Sequence, residues 1–178
     1  MSQLEIKTYP DPCLRIRTSE VSDFNMDIAE TVRAMTDMMY VNQGIGLAAP
    51  QVGLGLNLLV MDPGDGPLVL VNPVITEKSK KRTRLEEGCL SLPGITVNVD
   101  RPEEITVRAQ DEKGEFFLKS FSDLAAKVVQ HEMDHLEGRM IIDYMNPVRH
   151  FFACRKLKKR DAGEQAKKTC EVVCDARK

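Results

Sequence analysis

The spacing of apolar positions divides the chain into a helix, a block of strands and a second helix. Ile28, Val32, Met35 and Met39 recur at helical intervals and predict an amphipathic helix over Met26–Val41. Asp23 or Asn25 stands where its cap belongs, and Gly44 follows its end. Beyond it the period shortens. Asn57–Asp62 and Leu68–Asn72 are apolar runs on either side of Pro63-Gly64-Asp65-Gly66-Pro67, a turn between two strands. Ile95–Val99 alternates and is rich in β-branched residues. Glu104–Ala109 and Glu115–Lys119 flank Asp111-Glu112-Lys113-Gly114, which reads as a hairpin turn. The helical period returns over Asp123–Glu137, with Ser122 at the N-cap and Gly138 at the C-terminal cap position. Met140–Tyr144 reads as one more strand. Helix, strand block, helix is an α+β order, not an alternating βαβ one. The expected fold is mainly antiparallel strands around the second helix, with the other helix N-terminal to them.

No repeat or linker divides the chain, and 178 residues suit one domain with its own core. We expect a body over residues 1–147. Residues 148–178 turn basic and polar and are expected to be partly helical, within the same domain or extending from it. Apolar residues make up 42% and charged residues 29%, an ordinary globular balance. A formal charge of -2 gives the whole chain no bias toward nucleic acid or membrane. No apolar run approaches the roughly 20 residues that span a bilayer. Met1-Ser2-Gln3-Leu4-Glu5 lacks the pattern of a secretory or organelle-targeting segment. A cytoplasmic monomer is the expectation. Five scattered cysteines argue against a disulfide framework. Cys170 and Cys174 have metal-pair spacing but no histidine nearby, and read as plain tail cysteines.

The sharpest chemical feature is His131-Glu132-Met133-Asp134-His135. Residues four apart on a helix share a face, so two imidazoles can bite one ion while Glu132 reaches its water without ligating it. Leu124, Val128, His131 and His135 fall on one stripe, which supports the helix independently of the motif. The chain has three histidines, and two are here. A catalytic site usually takes three protein ligands and leaves one position open. The remaining histidine, His150, lies in the basic tail. Upstream, Glu87-Gly88-Cys89-Leu90-Ser91 offers a thiolate, a strong ligand for zinc or iron, and Cys89 is the leading candidate. A third segment, Gly44-Ile45-Gly46-Leu47-Ala48-Ala49-Pro50-Gln51, follows a helix and lacks the dinucleotide fingerprint and the phosphate-loop lysine. It reads as a place where backbone lies close to a ligand, with Gln51 able to donate to a developing oxyanion.

Together the three segments resemble the signature motifs of peptide deformylases, in that family's order. Tyr9-Pro10-Asp11-Pro12, Leu14-Arg15 and Arg101-Pro102 extend the likeness over roughly Ile6 to Met145. The glycine after Pro93 and the short gap between the first two motifs resemble the bacterial-type branch. The resemblance implies Cys89, His131 and His135 as metal ligands and Glu132 as general base and acid. Gln51 and the Leu90 backbone N–H become oxyanion donors. It implies removal of formyl from N-terminal formylmethionine, with ferrous iron as the ion and zinc, nickel or cobalt able to replace it. A methionine side chain wants an apolar pocket, and Ile45, Leu85, Leu124 and Val128, beside Gly44 and Gly46, are its expected walls. It further implies ribosome contact through the basic tail. Two rivals share part of the pattern. A peptidase of the His-Glu-x-x-His type needs a different third ligand, and a closed structural metal site needs no Glu132.

Overall fold

The computed structural model describes residues 4–24 and 26–175, and their side chains except Met26 and 163–175. Helix α1 runs over Met26–Val41. Of its two cap candidates, Asn25 lies outside the described residues. The predicted stripe faces inward: Ile28, Met35 and Met39 are buried and Val32 packs beside them. Their partners are Leu47, Leu58, Val60, Val69 and Val71, from strands that follow.

Seven strands follow: β1 (Gly46–Ala48), β2 (Leu58–Met61), β3 (Leu68–Lys78), β4 (Arg82–Gly88), β5 (Thr96–Pro102), β6 (Glu104–Gln110) and β7 (Phe116–Ser122). All pair antiparallel, five in the order β1-β2-β3-β6-β7 and two as a separate β4-β5 ribbon. The chain passes from ribbon to sheet at Glu103. Alternation decides the sheet's faces. Ile105, Val107 and Ala109 of β6 point inward, onto Ala126, Val128, Val129 and Leu136 of helix α2 (Asp123–Leu136). That helix therefore lies against the larger sheet and also touches β5 of the ribbon.

The caps of α2 differ in kind. Ser122 holds the N-cap position, but its hydroxyl makes no cap bond. Gly138 follows the C-cap at φ 71, and a Cβ there would stand 2.7 Å from the Arg15 carbonyl oxygen. Glycine is required on both counts.

Three elements depart from expectation. Met140–Tyr144 is not a strand; Ile141–Tyr144 forms a 3-10 turn. The Asp143 carboxylate accepts the Met140 N–H at 2.9 Å and closes the turn, while Ile141 and Ile142 are both buried, where a half-buried strand would alternate. Strands β1 and β4 were not anticipated, the first being three residues and the second mostly charged. Residues from Pro147 to Asp175 form helix α3. Ala153 and Leu157, one turn apart, are buried against Leu14, Leu92, Val99 and Ile142. No described helix is long and apolar enough to cross a membrane.

Candidate metal centre

The inward face of α2 carries the motif. His131, Glu132 and His135 are 8%, 4% and 1% exposed. Cys89 comes directly after β4, whose last residue Gly88 is held opposite Thr96 of β5. The ribbon thereby delivers the thiol to the helix: Cys89 Sγ is 3.2 Å from His135 Nε2. One ligand atom from each of Cys89, His131 and His135 falls within 4.8 Å of the others. A tetrahedral site with ordinary metal–sulfur and metal–nitrogen bonds would space such donors about 3.6 Å apart. The donor set fits an ion. Among the described residues no other group of three histidine, cysteine or carboxylate ligands converges, and the tail histidine His150 faces Cys154 and Asp143 instead. The side chains of Cys170 and Cys174 lie outside those described.

What orients these side chains was not foreseen. Glu87, two residues before Cys89, takes Nδ1 of His131 at 2.9 Å, so Nε2 is the nitrogen left to donate its lone pair. The same carboxylate accepts from Nε and Nη2 of Arg101, at 2.6 and 2.9 Å. Arg101 also reaches Asp134 at 2.9 Å, and the Tyr144 hydroxyl donates to Asp134 at 2.7 Å. Glu87, Arg101 and Asp134 are all buried, and every charge in the group has an opposite partner. Burial works to raise the Glu87 pKa, but the bonds from Arg101 and His131 prevail and hold it below the usual carboxylate range. Burial holds His135 neutral, the form that ligates. Burial opposes charge on His131 too, yet Cys89 and Glu87 raise its pKa well above the ordinary value. The cluster that draws a proton to His131 would draw a cation.

The other residues singled out from the sequence surround this cluster. Glu132 is not among the converging ligands, and its Oε2 is buried with no hydrogen-bond partner. Burial lifts its carboxyl to about 7, against the pull of His131 and the Ala48 N–H. Gly46 of β1 runs against it: a Cβ there would come 2.5 Å from Glu132 Oε1 and 2.9 Å from Val128 Cγ1. Gln51 is fixed at one end by the Ala48 N–H, which donates to its Oε1 at 2.8 Å. Its Nε2 points at Cys89 Sγ, 3.5 Å away, and Ser91 Oγ, 3.3 Å away. The Leu90 N–H meets no acceptor among the described residues.

A cavity of about 390 Å³ opens over these groups. Gly44, Ile45, Gly46, Leu85, Leu124 and Val128, the walls expected from sequence, all line it, as do Gln51, Cys89, Leu90, His131 and Glu132. Ile45, Leu85 and Leu124 are 40–45% exposed, large apolar side chains gathered at one mouth, as a pocket for an apolar group requires. Gln43, Glu86 and Lys127 also line it and were not singled out.

Residues 3–151 match the family model described as polypeptide deformylase. A peptide deformylase from Thermotoga petrophila is 42% identical over 85% of this chain and 93% of its own length. A chloroplastic/mitochondrial peptide deformylase 1B from Arabidopsis thaliana is 46% identical over 80% of this chain and 54% of its own length. The crystal structure of a peptide deformylase from Legionella pneumophila superposes with a TM-score of 0.85 at 36% identity, covering 92% of this chain and 98% of that one.

Proposed function

Since the chain belongs to the polypeptide deformylase family, a metal-dependent hydrolase that removes N-formyl groups from new polypeptides, we propose how its own residues divide that reaction. Cys89, His131 and His135 would hold the ion. When bound, the ion polarises the formyl carbonyl and makes a water acidic enough to attack at working pH. Glu132 accepts that water's proton and returns it to the leaving amine. Gln51 Nε2 and the Leu90 N–H donate to the oxyanion as charge develops on the formyl oxygen. Gly46 keeps backbone out of the space Glu132 needs. Ile45, Leu85, Leu124 and Val128 receive the methionine side chain, with Gly44 beside them. Formate and a free amine leave.

The observation that carries this reading is the convergence of one thiol and two imidazole ligand atoms within 4.8 Å, beside a buried, unpartnered Glu132 oxygen. A peptidase with another third ligand finds no support in it. We propose ferrous iron as the working ion, with zinc, nickel or cobalt as substitutes, because thiolate with two imidazoles accepts each of them. We further propose a cytoplasmic monomer that meets formylmethionyl chains at the ribosome through α3. Arg149, Arg155, Lys156, Lys158, Lys159 and Arg160 are exposed there.

The test is formate release from formyl-Met peptides by protein of measured metal content. Glu132→Gln is expected to keep its ion and lose turnover by about a hundredfold or more, since it removes the proton carrier and leaves the cage. A metal-replete variant with normal turnover would remove Glu132 from the mechanism.

A further inference from the structure

Lys127 lies on α2 one turn before His131, between the pocket residues Leu124 and Val128. It is 8% exposed and lines the substrate cavity. Among the described residues nothing ion-pairs or hydrogen-bonds with its ammonium. The contrast with Arg101 is direct. That side chain is 5% exposed, and the fold gives its guanidinium Glu87 and Asp134. The stem is buried while the ammonium itself reaches solvent, so an unpaired lysine in the cavity wall presents its charge to whatever enters. Other acids near the cavity are committed elsewhere. Glu86 accepts the Thr96 hydroxyl at 2.8 Å, Glu87 is held by Arg101 and His131, and Glu132 stands at the metal centre.

We propose that Lys127 sets substrate specificity by pairing with a carboxylate on the second or third residue of the formylated peptide. The inference rests on the deformylase reading, which puts the formyl group at the metal centre and the first side chain against the apolar walls. Four residues of helix separate Lys127 from His131 by about 6 Å, and helical side chains lean toward the N-terminus. The side chain thus leans away from His131, and residues of the peptide after the first would lie along that part of the cavity wall. An apolar residue would line that wall as well for methionine alone; lysine adds a charge preference.

The experiment compares kcat/KM on formyl-Met peptides carrying Asp, Asn or Lys at the second or the third residue, with an all-neutral formyl-Met-Ala-Ala control. The metal-loaded full chain is used. At low salt the wild type is expected to favour Asp over Lys at one of the two positions by about three- to fivefold, the scale of a partly solvated ion pair, mainly through KM. Salt should shrink the ratio. Lys127→Met should bring it near one, and Lys127→Glu should invert it. Because ratios within one variant are compared, loss of folded enzyme does not mimic the effect. A wild-type ratio of one at both positions, or an acid preference that persists in Lys127→Met, overturns the proposal while the control still reports deformylation. No formate from any peptide, control included, overturns the deformylase reading and this proposal with it.

Discussion

At the scale of single residues, the candidate ligand pair on α2 was legible because chemistry and geometry coincide in sequence. His131 and His135 are one helical turn apart, so their shared face follows from the period alone. The support around them was not legible. Glu87, Arg101 and His131 meet across separations of 14 and 44 residues, and no local pattern encodes that meeting. Lys127 was hidden differently: nothing in the sequence of an amphipathic helix tells a cavity-wall lysine from a solvated one. Gly46 was read as a residue that lets backbone approach a ligand, and what it approaches closely is Glu132. Gly46→Ala should therefore displace that carboxylate and lower kcat by about tenfold or more with the ion retained, as a misplaced proton carrier does. Normal kcat in a metal-replete Gly46→Ala would show that the site yields to the methyl group. Cys89 carries a second consequence. With ferrous iron bound, air should abolish activity, because oxygen attacks both the metal and the thiolate, while nickel-loaded protein should survive. Cys89→Ser should lose its ion, whereas Cys154→Ser should keep it. Equal activity and equal air stability of iron-, nickel- and zinc-loaded enzyme would refute iron as the working ion.

At the scale of elements, legibility followed the strength of the period. Helices α1 and α2 each carry several turns of apolar stripe and stand where the stripe put them. Strand β4 reads Arg82-Thr83-Arg84-Leu85-Glu86-Glu87-Gly88 and buries only Glu87, so it offers no alternation; pairing with β5 makes it a strand. Strand β1 is three small or apolar residues whose identity as a strand comes from β2. The Met140–Tyr144 segment was misread because its apolar start looked like a strand, while the decisive group was Asp143. That carboxylate holds the Met140 N–H at 2.9 Å and one arm of Arg15 at 2.9 Å, and so ties the turn to the N-terminal stretch. Burial tends to raise its pKa, but Arg15 and the Met140 N–H outweigh burial and hold it below its ordinary 3.8. A depressed carboxylate pKa adds stability above the unfolded value and loses it as pH falls through the folded one. Wild-type unfolding midpoints should therefore drop more steeply between about pH 4 and 2 than those of Asp143→Asn, which starts less stable and has less to lose. Parallel pH curves for the two proteins would show that the Arg15 link does not contribute to acid stability.

At the scale of the whole molecule, the candidate metal centre sits where three parts meet: α2 on the larger sheet, the end of the β4-β5 ribbon, and the loop leaving β1. Composition could not announce that junction, since each part has its own apolar cluster and each cluster draws residues from distant segments. The same organisation decides how the basic tail must be tested. Helix α3 is no free appendage in its first turns. Leu157, 2% exposed, and Ala153 pack on Leu14, Leu92 and Val99. Deleting everything after Pro147 would uncover that cluster, and loss of a buried leucine alone costs about 2–5 kcal/mol. Such a truncation would weaken ribosome association by unfolding the protein as readily as by removing charge. Charge reversal on the outer face avoids the confusion. Arg149, Arg155, Lys158 and Lys159 are exposed and make no ion pair among the described residues, while Lys156 donates to the Gly94 carbonyl at 3.0 Å and should be left in place. The quadruple change to Glu is expected to keep the thermal midpoint within a few degrees and to keep formate release from short peptides. Co-sedimentation with ribosomes should be lost, and wild-type association should fall steeply with salt, as contacts to phosphate do. Undiminished co-sedimentation of the folded quadruple variant would mean that α3 serves the core and not the ribosome.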